Sequence, residues 1–204
     1  MVRRLSLTLL LGFSLVACGE GPGTNEPTPE PPSPPTDGTP PDNGDGGGTC
    51  TYGNVTLDDN LEVASGQTCT LEGTTVEGNI TLSPGSSLTA GGVTVGGNIQ
   101  AEGSVRVGVF GSRVDGDVQV FDGGVAEVQG NQVGGNIQAE NNSGAVSASG
   151  NTVGGDVQLF DNTGSALVSG NVADGNLQCE GNNPPPVGGG NNVGGAKEGQ
   201  CSAL

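Results

Sequence analysis

The 204-residue chain has no histidine, no tryptophan, one tyrosine and four phenylalanines. Without histidine no Ser-His-Asp nucleophile can be assembled, although serine is frequent. Lysine and arginine together number five, and two of them, Arg3 and Arg4, lie in the first 17 residues. Beyond those, Arg106, Arg113 and Lys197 stand against 22 acidic residues, a net charge near −19. That sign excludes nucleic acid, whose backbone needs a basic surface, and electrostatic adhesion to anionic membranes. Arg106 and Arg113 are isolated, so the basic cluster a lyase needs to neutralise a uronate and abstract its proton is missing. No long loop carries the paired carboxylates a glycosidase requires. Neither an Asp-x-Asp-x-Asp-Gly loop nor a calcium-binding glycine-rich nonapeptide repeat is present, and Asp58-Asp59 and Asp115-Gly116-Asp117 read as solvated turns. We therefore expect no catalysis, no metal and no cofactor.

What the chain has in abundance is glycine, 41 residues, arranged around a repeat. The motif Val-x-Gly-(Asn/Asp)-(Ile/Val/Leu)-(Gln/Thr) begins at Val76, Val95, Val114, Val133 and Val153, with Ala173 opening a sixth copy and Val193 a decayed seventh. A fixed period of 19 or 20 residues is the mark of one coil repeated along an axis. Between the motifs the pattern has period two, as in Asn98-Ile99-Gln100-Ala101-Glu102, which describes half-buried strands. Gly73, Gly92, Gly111, Gly130, Gly150, Gly170 and Gly190 form one column, with Asn131, Asn151, Asn171 and Asn191 behind the later ones. Such residues supply left-handed conformations at tight bends.

Stacked coils of this kind make an all-β, single-stranded parallel β-helix, expected to have about seven coils. Its inward columns would be Ile80, Ile99, Val118, Ile137, Val157 and Leu177, beside Leu82, Ala101, Val120, Ala139 and Leu159. Each coil buries its apolar face only against its neighbours. Aligned asparagines would form ladders along the stack. The alternation of 19 and 20 residues departs from the strict 18 of left-handed hexapeptide helices. In this the region 50–204 resembles the broad group of bacterial right-handed parallel β-helix proteins and, distantly, the polymerising bactofilin type. That resemblance implies an architecture and a right-handed coil, not an activity.

The regions before the repeat point to export. Residues 1–17 carry Arg3 and Arg4 and then a mostly apolar run, Leu5 to Val16, too short to span a bilayer as a helix. Leu15-Val16-Ala17-Cys18 resembles a bacterial lipobox, which implies cleavage before Cys18, lipidation of that residue and anchorage in a membrane. Gly19 at the next position implies the outer membrane or cell surface. Residues 18–49 hold nine prolines and few apolar side chains, the composition of a disordered, extended linker.

With Cys18 assigned to the anchor, Cys50, Cys69, Cys179 and Cys201 remain, an even number in an exported domain. Separations of 19 and 22 residues are each about one coil, which matches the Cα spacing of a disulfide. Cys50–Cys69 and Cys179–Cys201 are the expected pairs, clipping the first and last coils where open edges fray.

Finally, the coils alternate in pairs. Sequences NIQAE and DVQVF or DVQLF succeed one another, so one column reads Glu102, Phe121, Glu140, Phe160, Glu180. Outward beside it runs Gln100, Gln119, Gln138, Gln158. One reading is electrostatic, since alternation spaces the acids by about 10 Å instead of 5 Å. The other is a binding face composed of Gln100, Gln119, Phe121, Gln138, Glu140, Gln158 and Phe160. The expected function is a non-catalytic, lipid-anchored surface protein of structural or adhesive role. A module binding cell-wall or extracellular glycan, or a protein, is the alternative. End-to-end polymerisation is disfavoured by stapled ends and by Pro184 to Pro186, so a monomer is expected.

Overall fold

A computed structural model describes residues 47–204. The expectations for the segment 1–17, for Cys18 and for nearly all of the linker lie outside the described residues. Twenty-four short strands wind through eight coils and align as three parallel sheets of eight strands each. The first face begins with Thr49–Tyr52 and ends with Val187–Gly189. The second is built of two-residue strands, from Thr56–Leu57 to Asn192–Val193. The third runs from Leu61–Val63 to Lys197–Gly199. The fold is the parallel β-helix that the period implies.

Register is in step throughout. Ile80 pairs with Ile99, Ile99 with Val118, Val118 with Ile137, Ile137 with Val157 and Val157 with Leu177. All six are buried. The second inward column, from Leu82 to Leu159, is buried as well. A one-residue slip would turn both columns to solvent, so the alternation itself locks the register. The repeated motif spans a corner. Its first residue is the buried end of a second-face strand, its Gly-Asn pair makes the bend, and its Ile or Val opens the third face.

The glycine column marks the bend between the first and second faces, and all seven of its members have φ between 54° and 70°. At the bend that leaves the third face, the same backbone region is taken by Gly103, Asp122, Asn141, Asp161 and Gly181. Asp and Asn tolerate left-handed geometry better than other side chains, which is why they substitute for glycine there.

The structure has eight coils, where about seven are expected. The additional one is the first, where Leu57-Asp58-Asp59-Asn60-Leu61 stands in for the motif. Asp58 and Asp59 replace the x-Gly of the other copies, so the match fails at its most recognisable position. Leu57 and Leu61 nevertheless occupy the buried sites.

The two disulfides are Cys50–Cys69 and Cys179–Cys201, with Cα–Cα distances of 4.5 and 5.2 Å. Cys50 and Cys69 are direct cross-strand partners on the first face. Cys201 lies beyond the last strand, in a turn, and is buried. There the inward column of Leu177 ends at Lys197, whose Nζ donates to the backbone carbonyl of Leu204 at 2.8 Å. Apolar packing is thin in this coil: Val187 is 63% exposed and is followed by Gly188 and Gly189.

Candidate functional site on the third face

Most amide side chains of the rod are committed to its own ladders, and three columns of Asn and Asp show how. At the motif corner each side-chain Oδ1 accepts the backbone N–H of the next coil. Asn79 accepts from Asn98, Asn98 from Asp117, Asp117 from Asn136, Asn136 from Asp156 and Asp156 from Asn176, at 2.6–2.8 Å. Only an acceptor is needed, so Asp serves as well as Asn. The acids never stand in adjacent coils. Asn136 lies between Asp117 and Asp156, and its Nδ2 donates to Asp117 at 3.1 Å. Like charges one strand spacing apart would repel.

The other two ladders are buried and run with the opposite polarity. Oδ1 of Asn151 accepts from the backbone N–H of Asn131, in the preceding coil, at 3.0 Å. Its Nδ2 donates back to the carbonyl of Val128 at 2.8 Å. Asn171 and Asn191 repeat the pattern. At the bend after the third face a second buried column comprises Asn142, Asn162 and Asn182, and Gln200 terminates it by accepting from both nitrogens of Asn182. These columns contain Asn and no Asp because the side chain must donate as well as accept. The second column escapes sequence reading, because Ser104 and Gly123 occupy its earlier coils; the doublets Asn141-Asn142 and Asp161-Asn162 were the available signal. Ser104 Oγ is buried there without a hydrogen-bond partner.

The seven residues of the expected binding surface lie together on the third face. The column Glu102, Phe121, Glu140, Phe160, Glu180 is in direct cross-strand register. Gln100 is exposed, and the other six expected residues are half-buried. The glutamines are engaged with one another. Nε2 of Gln100 donates to Oε1 of Gln119 at 2.9 Å, Gln119 to Gln138 and Gln138 to Gln158 each at 2.6 Å, and Gln158 to Gln178 at 2.7 Å. Gln178 closes the chain on Glu198 at 2.7 Å. Sequence reading places this column outward but does not reveal that it is self-bonded. A Gln138→Ala substitution removes two rungs from a partly exposed ladder and should cost about 1 kcal/mol. Denaturant unfolding with intact disulfides will measure it.

Beside Phe121 the surface holds an open depression of about 440 Å³, bordered by Thr81, Pro84, Gln100, Glu102 and Gln119. Only acids carry charge along the Phe column. The two arginines of the coils point elsewhere, Arg106 pairing with Glu127 on the first face and Arg113 with Asp115 at 2.7 Å beside the second. Among the described residues no three acidic or sulfur side chains converge as a metal site. Tyr52, packed against the first coil's core, has a buried hydroxyl without a partner, and desolvation pushes its phenol pKa up. Comparison with protein-family models, curated proteins and solved structures returned no match.

Proposed function

We propose that this chain is an exported lipoprotein whose β-helix is displayed at the bacterial surface as a rigid structural or adhesive rod. The reading rests on one conjunction: a lipobox-like Cys18 and a Pro-rich linker precede a domain whose two end coils are each held by a disulfide. Structural disulfides persist in oxidising, extracytoplasmic compartments. The third face of the rod's C-terminal end is poorly suited to strand addition, since Lys197 sits in the inward column with its Nζ bonded to the carbonyl of Leu204. Inward charge is an established device against edge-to-edge association. This favours a monomer over a bactofilin-like filament, and right-handed winding remains part of the family likeness we adopt.

Metabolic labelling with an alkyne fatty acid in a bacterial host tests the anchor. The wild-type chain should take up label and fractionate with membranes. Cys18→Ser should lose the label entirely and leave the membrane fraction. Labelling that survives the substitution would sink the reading.

A second reading, that the third face binds glycan, is favoured by the depression against Phe121. Aromatic walls with a few convergent polar groups are the usual make-up of a small-ligand site.

A further inference from the structure

We infer that the third face binds an uncharged, β-1,4-linked chain of 2-acetamido sugars lying along the rod axis, with alternate sugars stacked on Phe121 and Phe160. This deepens the glycan-binding reading and rests on it. The observation behind it is the two-coil period. Phe121 and Phe160 occupy one column with Glu140 between them. At one strand spacing per coil they are about 10 Å apart, which is the length of one disaccharide in an extended β-1,4-linked glycan. In such a chain successive rings are flipped, so every second sugar presents the same face. A surface that repeats every second strand therefore matches the ligand in distance and in face. An α-1,4-linked chain coils and cannot keep that step.

Chemistry selects the sugar. Phenyl faces carry negative charge and attract the weakly positive C–H edges of a pyranose. Glu140 lies between the two Phe rungs and Glu102 and Glu180 flank them, and an ionised carboxylate accepts hydrogen bonds but cannot donate them. The ligand must therefore bring donors, which the acetamido N–H and ring hydroxyls supply. A uronate or a sulfated chain would meet like charge with no base on the column to offset it. The depression bordered by Pro84, Glu102 and Phe121 offers an apolar wall for the acetamido methyl and an acceptor for its N–H. The Gln ladder beside it is held in place by its own hydrogen bonds, so it forms a flat, ordered floor instead of side chains that must be immobilised on binding.

The test is titration calorimetry of the full-length protein in detergent with chitohexaose, cellohexaose, maltohexaose and oligogalacturonate. Chitohexaose should bind, with cellohexaose at least about tenfold weaker and the other two silent, tenfold being about 1.4 kcal/mol. Phe121→Ala and Phe160→Ala should each weaken chitohexaose binding by about tenfold, and Tyr at both positions should restore it. Circular dichroism and disulfide mapping show whether each variant is folded. Because both side chains point outward from the sheet, the folds should be unchanged. Chitohexaose binding that survives both Ala substitutions, or equal binding of cellohexaose or maltohexaose, overturns this inference while leaving a more general glycan-binding role standing. Absence of binding by all four sugars overturns the inference and the glycan reading together.

Discussion

Asn151→Asp should destabilise the rod by about 3–5 kcal/mol, the cost of an uncompensated charge in a buried network, whereas Asn79→Asp should cost less than about 1 kcal/mol. The substitutions are chemically identical, and both positions belong to asparagine ladders. Asn151 is 1% exposed. Its Nδ2 donates to the carbonyl of Val128 at 2.8 Å and to Oδ1 of Asn171 at 3.0 Å. Aspartate would set a carboxylate oxygen against those two acceptors. Protonation would relieve one of them, but a buried proton on a carboxyl at neutral pH has its own cost. At Asn79 Oδ1 accepts from the backbone N–H of Asn98 at 2.8 Å, which aspartate keeps, and Nδ2 makes only a long, exposed bond of 3.3 Å to Oδ1 of Asn60, whose loss costs little. Its neighbours along the column, Asn60 and Asn98, are uncharged, so no acid pair is created. Denaturant unfolding of both variants with disulfides intact will separate the cases. Equal stability of the two would mean that ladder polarity does not set which amide may become an acid.

The same contrast explains what the sequence could and could not disclose. Both disulfides, the inward columns and the corner glycines were legible because every coil places equivalent residues at one height and angle, so a column in the alignment is a column in space. The Glu102–Phe121–Glu140–Phe160 alternation was legible for the same reason. Bond direction was not. Asn79 and Asn151 look alike in a string, and only the backbone around them decides whether the amide nitrogen is needed. The first coil's copy of the motif was hidden by Asp58 and Asp59, because the pattern is recognised by glycine at the bend while folding weights Leu57 and Leu61 in the core. The self-bonded glutamines were hidden by their position: an outward column reads as available to a ligand until the rung distances show it satisfied along its own axis.

Loss of the Cys179–Cys201 bridge should release the last coil by about 2–4 kcal/mol without unwinding the rest of the rod. In a stacked repeat each coil is stabilised by its own contacts and by its neighbour's, so an end coil can open alone. The eighth coil is poorly supplied with apolar contacts. Val187 is largely exposed, two glycines follow it, and Lys197 takes the place of a core aliphatic. What holds it is the disulfide, the Gln200 cap on Asn182 and the Lys197–Leu204 bond. A cross-link closing 22 residues is therefore a large share of its stability. In Cys201→Ser, amide exchange should accelerate across residues 187–204 and in the newly exposed strand Leu177–Glu180, while the central strands Arg106–Phe110 and Val118–Phe121 keep wild-type protection. The Cys50–Cys69 bridge should behave differently, because the first coil buries Leu57, Leu61 and Val63 and has apolar packing to fall back on. Cys50→Ser should thus accelerate exchange in residues 49–63 by a smaller factor. Uniform loss of protection along the whole rod in Cys201→Ser would show that the coils fold as a single unit and that the bridge is not a local clasp. Protection retained in residues 187–204 would place the stability of that end in the Gln200 and Lys197 contacts instead.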